Sequence, residues 1–508
     1  MGGHDTPVRG VTLNNSSTVV IGAGPAGLTA AYLLSKENVP VTVLEADPRY
    51  VGGIARTVDY KGYLFDIGGH RFFSKSQEVE DLWTELLPND MLVRPRSSRI
   101  YYGKNFYSYP LKPIETLLKL GFIQTALCLL SYAKVRLKPI KAPKNFEEWV
   151  TNEFGERLYR IFFKTYTEKV WGMRCQEISA DWAAQRIKGL SLTTAILNAF
   201  RGKPSAGKKS DVIKTLIDSF RYPRRGPGMM WEACARRVRS QGGSVQMGCE
   251  VTACSYDAAR ALWDVSYTDA EGRTQSIEAG HVISSAPMRQ LINGLSPRPS
   301  ATTLTAANAL KYRDFLTVVL ILKDEEGFAD NWIYIHDPGV RVGRIQNFRS
   351  WSPEMVPVSG TVCYGLEYFC FEGDGLWNST DEELLQLGAS ELAQIGLGHP
   401  KDVLDGCVVR QSKAYPVYDD GYASNVETIR RELRSAYPNL HLVGRNGMHK
   451  YNNQDHAMMT AMLCARNIVA GRQVYDLWQV NQDAEYHEGG TAGEVKSFGL
   501  RTVPARAR

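Results

Sequence analysis

Residues 22–27 of this chain read GAGPAG and stand between a short β-branched run, 17–21 (STVVI), and a helical stretch from Pro25 to Lys36. A second strand-like run, 41–45 (VTVLE), follows. Glycine at 22 permits a sharp strand-to-helix turn, glycine at 24 lets the backbone come close to a ligand, and glycine at 27 lets the helix pack tightly on the strand. The helix opening here presents unpaired N–H groups and the positive end of its dipole, which suit a phosphate. Glu45 ends the second strand 18 residues after Gly27, placed to accept ribose hydroxyls. Strand, glycine turn, helix, strand and acid in this order predict a dinucleotide-binding βαβ unit rather than a bare glycine-rich turn.

That unit accounts for a small part of 508 residues, and the length suggests two or three domains. With 44% hydrophobic and 22% charged residues, the composition is that of a globular protein with a large core. From about residue 110 to 219 the periodicity is helical. Alternating runs return at 244–256 and 261–267, and 281–286 (HVISSA) reads as a buried strand. Further strands are expected at 312–323, 331–336, 343–348 and 361–370, and helices at 381–395 and 425–436. A last strand at 441–444 and a last helix at 455–470 complete the pattern. The expected fold is α/β: a Rossmann-like nucleotide domain with a helical insert and a mixed β-sheet substrate domain. The expected bounds are 17–90, 222–296 and 437–471 for the discontinuous nucleotide domain, 105–220 for the helical subdomain and 297–436 for the mixed sheet. Flexible tails are expected at 1–16 and 472–508.

The net charge of +6 is small, and the one dense basic run, 203–209 with Lys214, reads as a loop. Nucleic-acid binding is therefore not expected. Nine scattered cysteines without a C-x-x-C pair point to reduced thiols in the cytoplasm and to no metal site. Residues 1–17 are polar and lack the pattern of a secretory signal. Residues 114–137 are apolar with basic flanks, but Lys119 and Gln124 interrupt a span that would need about 20 apolar residues. The preferred reading is a half-buried helix of the helical subdomain, and the second is a helix lying on a membrane surface.

The residues after the second strand add a resemblance. Gly52-Gly53-Ile54-Ala55-Arg56-Thr57 resembles the second signature of the flavin amine oxidase and protoporphyrinogen oxidase superfamily. Residues 65–70 (FDIGGH) stand where that superfamily lays backbone along the flavin ring, and 441–467 where it closes over the ribityl chain. The resemblance implies FAD rather than NAD, in a GR2-type flavoprotein. Beside Gly22, Gly24, Gly27 and Glu45 it places Ala26, Gly53 and Arg56 at the cofactor, with Gly69, Gly444 and Asp455 contributed later in the chain.

Several segments resemble one branch, the UDP-galactopyranose mutases. They are FDIGGHRFFSK (65–75), EKVWGM (168–173), WAAQRIKGLSL (182–192), FRYPRRGPGMMWEA (220–233), WIYIHDP (332–338), GRIQNFRSWSP (343–353) and GRNGMHKYNNQDHAMMTAM (444–462). What the likeness implies is a non-redox flavoenzyme that interconverts pyranose and furanose forms of a nucleotide sugar through a reduced-flavin N5 adduct, with NAD(P)H as a candidate reductant. Arg186 and Arg344 would hold the diphosphate, as paired arginine donors suit it. Tyr334, Tyr415, Tyr451 and Trp171 would line the sugar and diphosphate, and Asn453 would lie near flavin and sugar. His70 would tune hydrogen bonding around the flavin, while His456 reads as structural. Thr167 and Trp351 depart from the asparagine and tyrosine expected at their positions. The rival is an FAD-dependent oxidoreductase acting on an amine, sugar or apolar substrate. The same cofactor motifs serve both.

Overall fold

The computed structural model describes residues 17–178, 180, 218–324 and 327–481. Its nucleotide layer is a five-stranded sheet whose pairings are all parallel. The order is Leu440–Leu442, His281–Ser284, Thr18–Ile21, Val41–Glu45, Ser244–Met247. Thr18–Ile21 is central and wholly buried, as a continuous TVVI run should be when both faces of a parallel sheet are covered. The Pro25–Lys36 helix begins with proline in its first turn, where no intrahelical hydrogen bond is lost. It buries Leu28, Ala30, Ala31 and Leu34 and packs against the last helix, Gln454–Val469. The βαβ unit thus runs Thr18–Ile21, Pro25–Lys36, Val41–Glu45.

A seven-stranded mixed sheet forms the second layer. Its order is Val403–Pro416, Tyr312–Lys323, Thr361–Cys370, Arg344–Asn347, Trp332–Ile335, Ser98–Tyr102, Asn105–Ser108. One face is covered by the Asp381–Ile395 helix, which starts in a capping box between Thr380 and Glu383 and ends at Gly396 with φ +81°. Against the other face lie the hairpin Thr57–Tyr60/Tyr63–Asp66 and the Ser219–Pro223 strand, through Phe65, Phe220 and Tyr222. The hairpin leads directly into residues 67–70, and Ile67 packs on Phe315 and Phe369 of the mixed sheet. That loop is thereby held between the two sheets.

The four strands expected between 312 and 370 all lie in this sheet. Val403–Pro416 was not anticipated. It is an edge strand whose VLDGCVVRQSKAYP sequence is half-buried along most of its length, so no clean alternation marks it. Residues 472–481 also differ from the loose tail expected of them. Leu477 and Val480 are buried, and Lys450 Nζ donates to the carbonyl oxygens of Trp478 and Val480. The anchor is a half-buried lysine meeting backbone carbonyls, which polar composition conceals.

The apolar stretch 114–137 is not the half-buried helix expected. It folds as two helices, Pro113–Leu120 and Phe122–Leu137, bent by 119° at Gly121, whose φ is +80°. Only Cys128 of the second helix is buried. Among the described residues no single helix is long and apolar enough to cross a membrane.

The mixed sheet and its helix are tied by Glu391. This buried carboxylate accepts from the backbone N–H groups of Arg341 (2.5 Å) and Val342 (2.9 Å) and from the Tyr368 hydroxyl (3.0 Å). Glu391→Ala leaves three donors without their acceptor, two of them (Val342 N–H and the Tyr368 hydroxyl) buried, and a loss of about 3 kcal/mol is expected. A denaturant titration should show the midpoint falling; an unchanged midpoint would contradict the interlock.

Candidate active site

The glycine turn is shaped by what lies against it. At Gly22, with φ +94°, a β-carbon would fall 2.5 Å from Ser285 Oγ, and at Gly27 one would fall 1.9 Å from the Gly22 carbonyl oxygen. Gly24 is different: nothing lies within 4 Å of a β-carbon built there. It is the extended N-cap of the Pro25–Lys36 helix, whose first turn receives no side-chain cap. The turn is therefore closed toward the protein and open where a pyrophosphate would sit. The Glu45 carboxylate accepts from the N–H groups of Ala23 (2.6 Å) and Asp47 (2.9 Å). Burial raises its pKa and these two bonds oppose the rise. Its remaining lone pairs are available to ribose hydroxyls.

Later segments close around this turn. Gly53, with φ +54°, lies against Gly24. Arg56 donates to the Gly53 carbonyl (3.0 Å) and to Gln411 Oε1 (2.7 Å), bridging the cradle to the mixed-sheet edge. Gly444, with φ +76°, abuts Ala26, so that Ala26 seats the late segment on the turn. Asp455 is buried in the first turn of the last helix and accepts from Ser74 Oγ (3.3 Å). Asn453, expected at flavin and sugar, is the N-cap of that helix in a reciprocal capping box with His456. The structural reading of His456 agrees with this arrangement, and helix capping accounts for the Asn453 side chain.

The loop at 67–70 faces the charged part of the mixed sheet. A β-carbon on Gly69 would lie 3.5 Å from Gln346 Oε1 and 3.7 Å from Arg344 Nη1. His70 Nε2 is 2.9 Å from the Ile67 carbonyl oxygen. Burial first, then the charges of Arg445 and Arg344, lower its pKa to about 4. His70 is therefore neutral at pH 7.

Arg344 does not stand free. Its Nε and Nη2 donate to the fully buried Glu367 carboxylate at 2.6–3.0 Å, and Gln346 Nε2 donates to the same group at 2.7 Å. The Glu367 charge, with smaller contributions from Tyr166 and Tyr415, holds the guanidinium pKa well above its ordinary value against the cost of burial. The Nη1 edge is left toward Gly69. Gln346 Oε1 is buried without a partner, an acceptor that a bound molecule could satisfy.

Aromatic side chains surround this pair. Tyr166 stacks on His336 at 4.9 Å and meets Tyr334 edge-on at 5.3 Å. Tyr415 and Tyr451 stack at 5.6 Å, and the Arg445 guanidinium lies 5.1 and 5.0 Å from their ring centres. Trp171 lies 6.2 Å from Tyr451. Of the expected substrate residues, Trp171, Tyr415 and Tyr451 thus form one cluster, while Tyr334 belongs to a second group with Tyr166 and His336. Arg186 lies outside the described residues. Thr167 is buried on the Thr165–Trp171 helix, and Trp351 is a core residue that donates its indole N–H to the Asn331 carbonyl (2.9 Å).

Tyr166, Glu367 and Arg445 were not anticipated. Arg445 lies inside the quoted GRNGMHK segment, next to the glycine that drew attention, so it could have been found. Tyr166 and Glu367 carry no local signal, since their roles arise from cross-sheet neighbours.

The sequence pattern of flavin containing amine oxidoreductases matches residues 25–469. The chain belongs to that family. Among known proteins, the coproporphyrinogen III oxidase of Bacillus subtilis is 22% identical over 84% of this chain and 92% of that enzyme. The dTDP-fucopyranose mutase of Escherichia coli is 28% identical over 33% of this chain and 44% of that enzyme. The fold is shared with a crystal structure of reduced UDP-galactopyranose mutase at a TM-score of 0.75 and 22% identity, over 90% of this chain and 94% of the other. The open face at Gly24, the uncapped helix start and the Glu45 carboxylate fit the FAD of this flavoprotein family.

Gly24→Val has room within the protein but projects into the phosphate space. The variant should fold with an unchanged thermal midpoint and purify without flavin absorbance; retained FAD would place the cofactor elsewhere. For His70, the folded pKa of about 4 lies below the ordinary 6.5. The unfolded chain thus binds more protons between these values, and this histidine's stabilising contribution is lost as pH falls from 6.5 toward 4. In apoprotein, His70→Asn should weaken that pH dependence by up to about 3 kcal/mol across the window. Identical slopes for the two proteins would contradict a neutral, half-buried His70.

Proposed function

We propose that this flavoprotein interconverts the pyranose and furanose forms of a nucleotide sugar. The observation that carries this reading is the Arg344–Glu367 pair, with its free guanidinium edge turned toward the Gly69 loop inside a wall of tyrosines. Such a wall offers cations and hydroxyl donors and suits a diphosphate joined to a sugar. The fold shared with UDP-galactopyranose mutase and the partial likeness to dTDP-fucopyranose mutase support the same reading.

In this reading Gly22, Gly24, Gly27, Glu45, Gly53 and Arg56 hold FAD, with Gly69 and His70 along the ring. Reduced FAD, once primed by a donor such as NAD(P)H, would supply a nucleophilic ring nitrogen for the anomeric carbon. The chain's own residues bind, orient and balance charge. Arg344 and Arg445 grip the diphosphate and stabilise the charge that grows on it as it leaves the sugar. Burial raises the hydroxyl pKa of Tyr166 and Tyr415, keeping both protonated as hydrogen-bond donors. Neutral His70 serves as an uncharged hydrogen-bonding partner at the ring. Glu367, fully buried, keeps Arg344 in one orientation through two of its nitrogens. The rival reading, a net oxidase, draws on the coproporphyrinogen III oxidase likeness, which runs along most of the chain.

The test uses dithionite-reduced holoenzyme mixed with a panel of UDP- and dTDP-hexopyranoses, with products resolved by anion exchange. A furanose product is expected from at least one of them. None from any, together with stoichiometric hydrogen peroxide release on another substrate, would establish the oxidase. Arg344→Lys keeps a cation for Glu367 but loses the fork. It should weaken nucleotide-sugar binding by about ten-fold or more at unchanged FAD content; unchanged affinity would remove Arg344 from the site.

A further inference from the structure

We propose that the bent helix pair Pro113–Leu120 and Phe122–Leu137 seats this protein on an anionic lipid bilayer, lying in the headgroup plane with the Gly121 apex inserted. The proposal rests on this surface alone and is independent of the reaction.

The first observation is where apolar side chains are exposed. Among the described residues, nine of the thirteen exposed large hydrophobic side chains lie between 114 and 140. The three most exposed of them that flank the bend are Phe122 (89%), Leu118 (77%) and Ile123 (73%). Isolated exposed leucines are ordinary, whereas a contiguous patch of this kind marks an interaction surface.

The second is that the Phe122–Leu137 helix is inside-out. The side turned to the protein carries Gln124, Cys128, Ser131 and Tyr132. Gln124 Oε1 accepts from Arg157 Nη2 (2.7 Å), and Ser131 Oγ accepts from the Arg157 backbone N–H (3.1 Å). The helix comes so close at Tyr132 that a β-carbon on Gly155 would lie 2.9 Å from its backbone nitrogen. These contacts fix the orientation and leave Phe122, Ile123, Leu127, Leu130 and Leu137 outward. A helix whose polar side is satisfied by protein and whose apolar side faces outward needs an apolar medium there.

The third observation chooses the medium. Between 112 and 144 the basic residues are Lys112, Lys119, Lys134, Arg136, Lys138, Lys141 and Lys144, all exposed, and the acidic residue is Glu115, paired with Lys119 at 2.6 Å. A basic rim around an apolar apex complements anionic headgroups over acyl chains. The pair together has the length and apolar character of a broken span, but its 119° bend and the inner side held against Arg157 and Gly155 set it along the bilayer surface in this proposal. On the protein side Cys128 shares a core with Tyr107, Phe162 and Tyr334, so the docking element backs onto a wall of the candidate site.

The test is flotation of the full-length, FAD-loaded protein with phosphatidylcholine vesicles, alone or with about one third phosphatidylglycerol. Binding to the mixed vesicles is expected, weakening as salt rises. The triple variant L118S/F122S/I123S should lose binding by about a hundred-fold or more. K134Q/K138Q/K141Q should lose the preference for anionic lipid, about five-fold for each charge removed. Both should keep wild-type FAD content and thermal midpoint, since all six side chains are exposed. Protein remaining in the aqueous fraction at every composition would overturn the proposal, as would flotation of the serine variant at the wild-type level. So would a wild-type dimer that becomes a monomer on serine substitution without lipid binding, which would make the patch a contact between two copies.

Discussion

Residue 27 can carry no more than a hydrogen atom, because a β-carbon there would overlap the Gly22 carbonyl oxygen at 1.9 Å. That close approach draws the Pro25–Lys36 helix down onto the central strand and sets where its N-terminus points. Much of the cofactor half follows from it. Ala26 becomes the surface on which Gly444 rests, Ser285 fills the space behind Gly22, and Gly24 is left at the open rim. The last helix packs on the first, bringing the 444–453 segment and Arg445 across to the mixed sheet. A tight contact in one turn thereby helps position a side chain more than 400 residues away in sequence.

The second constraint is electrostatic. Glu367 is fully buried, and a buried carboxylate without a partner is strongly unfavourable. Arg344 and Gln346 on the neighbouring strand supply that partnership at the Arg344–Glu367 register of the antiparallel pair. Pairs of this kind contribute little net stability relative to apolar packing; what this pair fixes is geometry. Here the geometry is a guanidinium with two nitrogens held from behind and one edge presented to the Gly69 loop. The neutral His70 and the nearby Tyr166 and Tyr415 give that edge a low-dielectric setting in which its interaction with an anion is strengthened.

The parts legible in the sequence were those written in consecutive residues. The glycine turn, its flanking strands and Glu45 form a local pattern with a physical reason at each position. The strands at 312–323 and 361–370 announced themselves as long apolar runs. The substrate half was less legible because its members meet across strands. Tyr166 and Glu367 are near one another only when the Thr165–Trp171 helix crosses the mixed sheet, and the edge strand bearing Tyr415 mixes glycine, charge and valine. The apolar stretch at 114–137 was misread for another reason. Composition shows that a helix has an apolar side but not which way the side faces, and here Arg157 and Gly155 decide it. Arg186 falls outside the described residues, so its place beside Arg344 rests on resemblance.

The central claim is that one cleft holds FAD on the Gly22–Gly27 turn and a nucleotide diphosphate on the Arg344 edge. The most direct measurement is a crystal structure of the FAD-loaded protein with bound UDP. The account predicts FAD phosphates at the Gly24 N–H, the flavin ring along Gly69 and His70, and UDP phosphate oxygens within hydrogen-bonding distance of Arg344 Nη1. UDP bound away from Arg344, or a flavin ring that fills the space between Arg344 and the tyrosines, would contradict it.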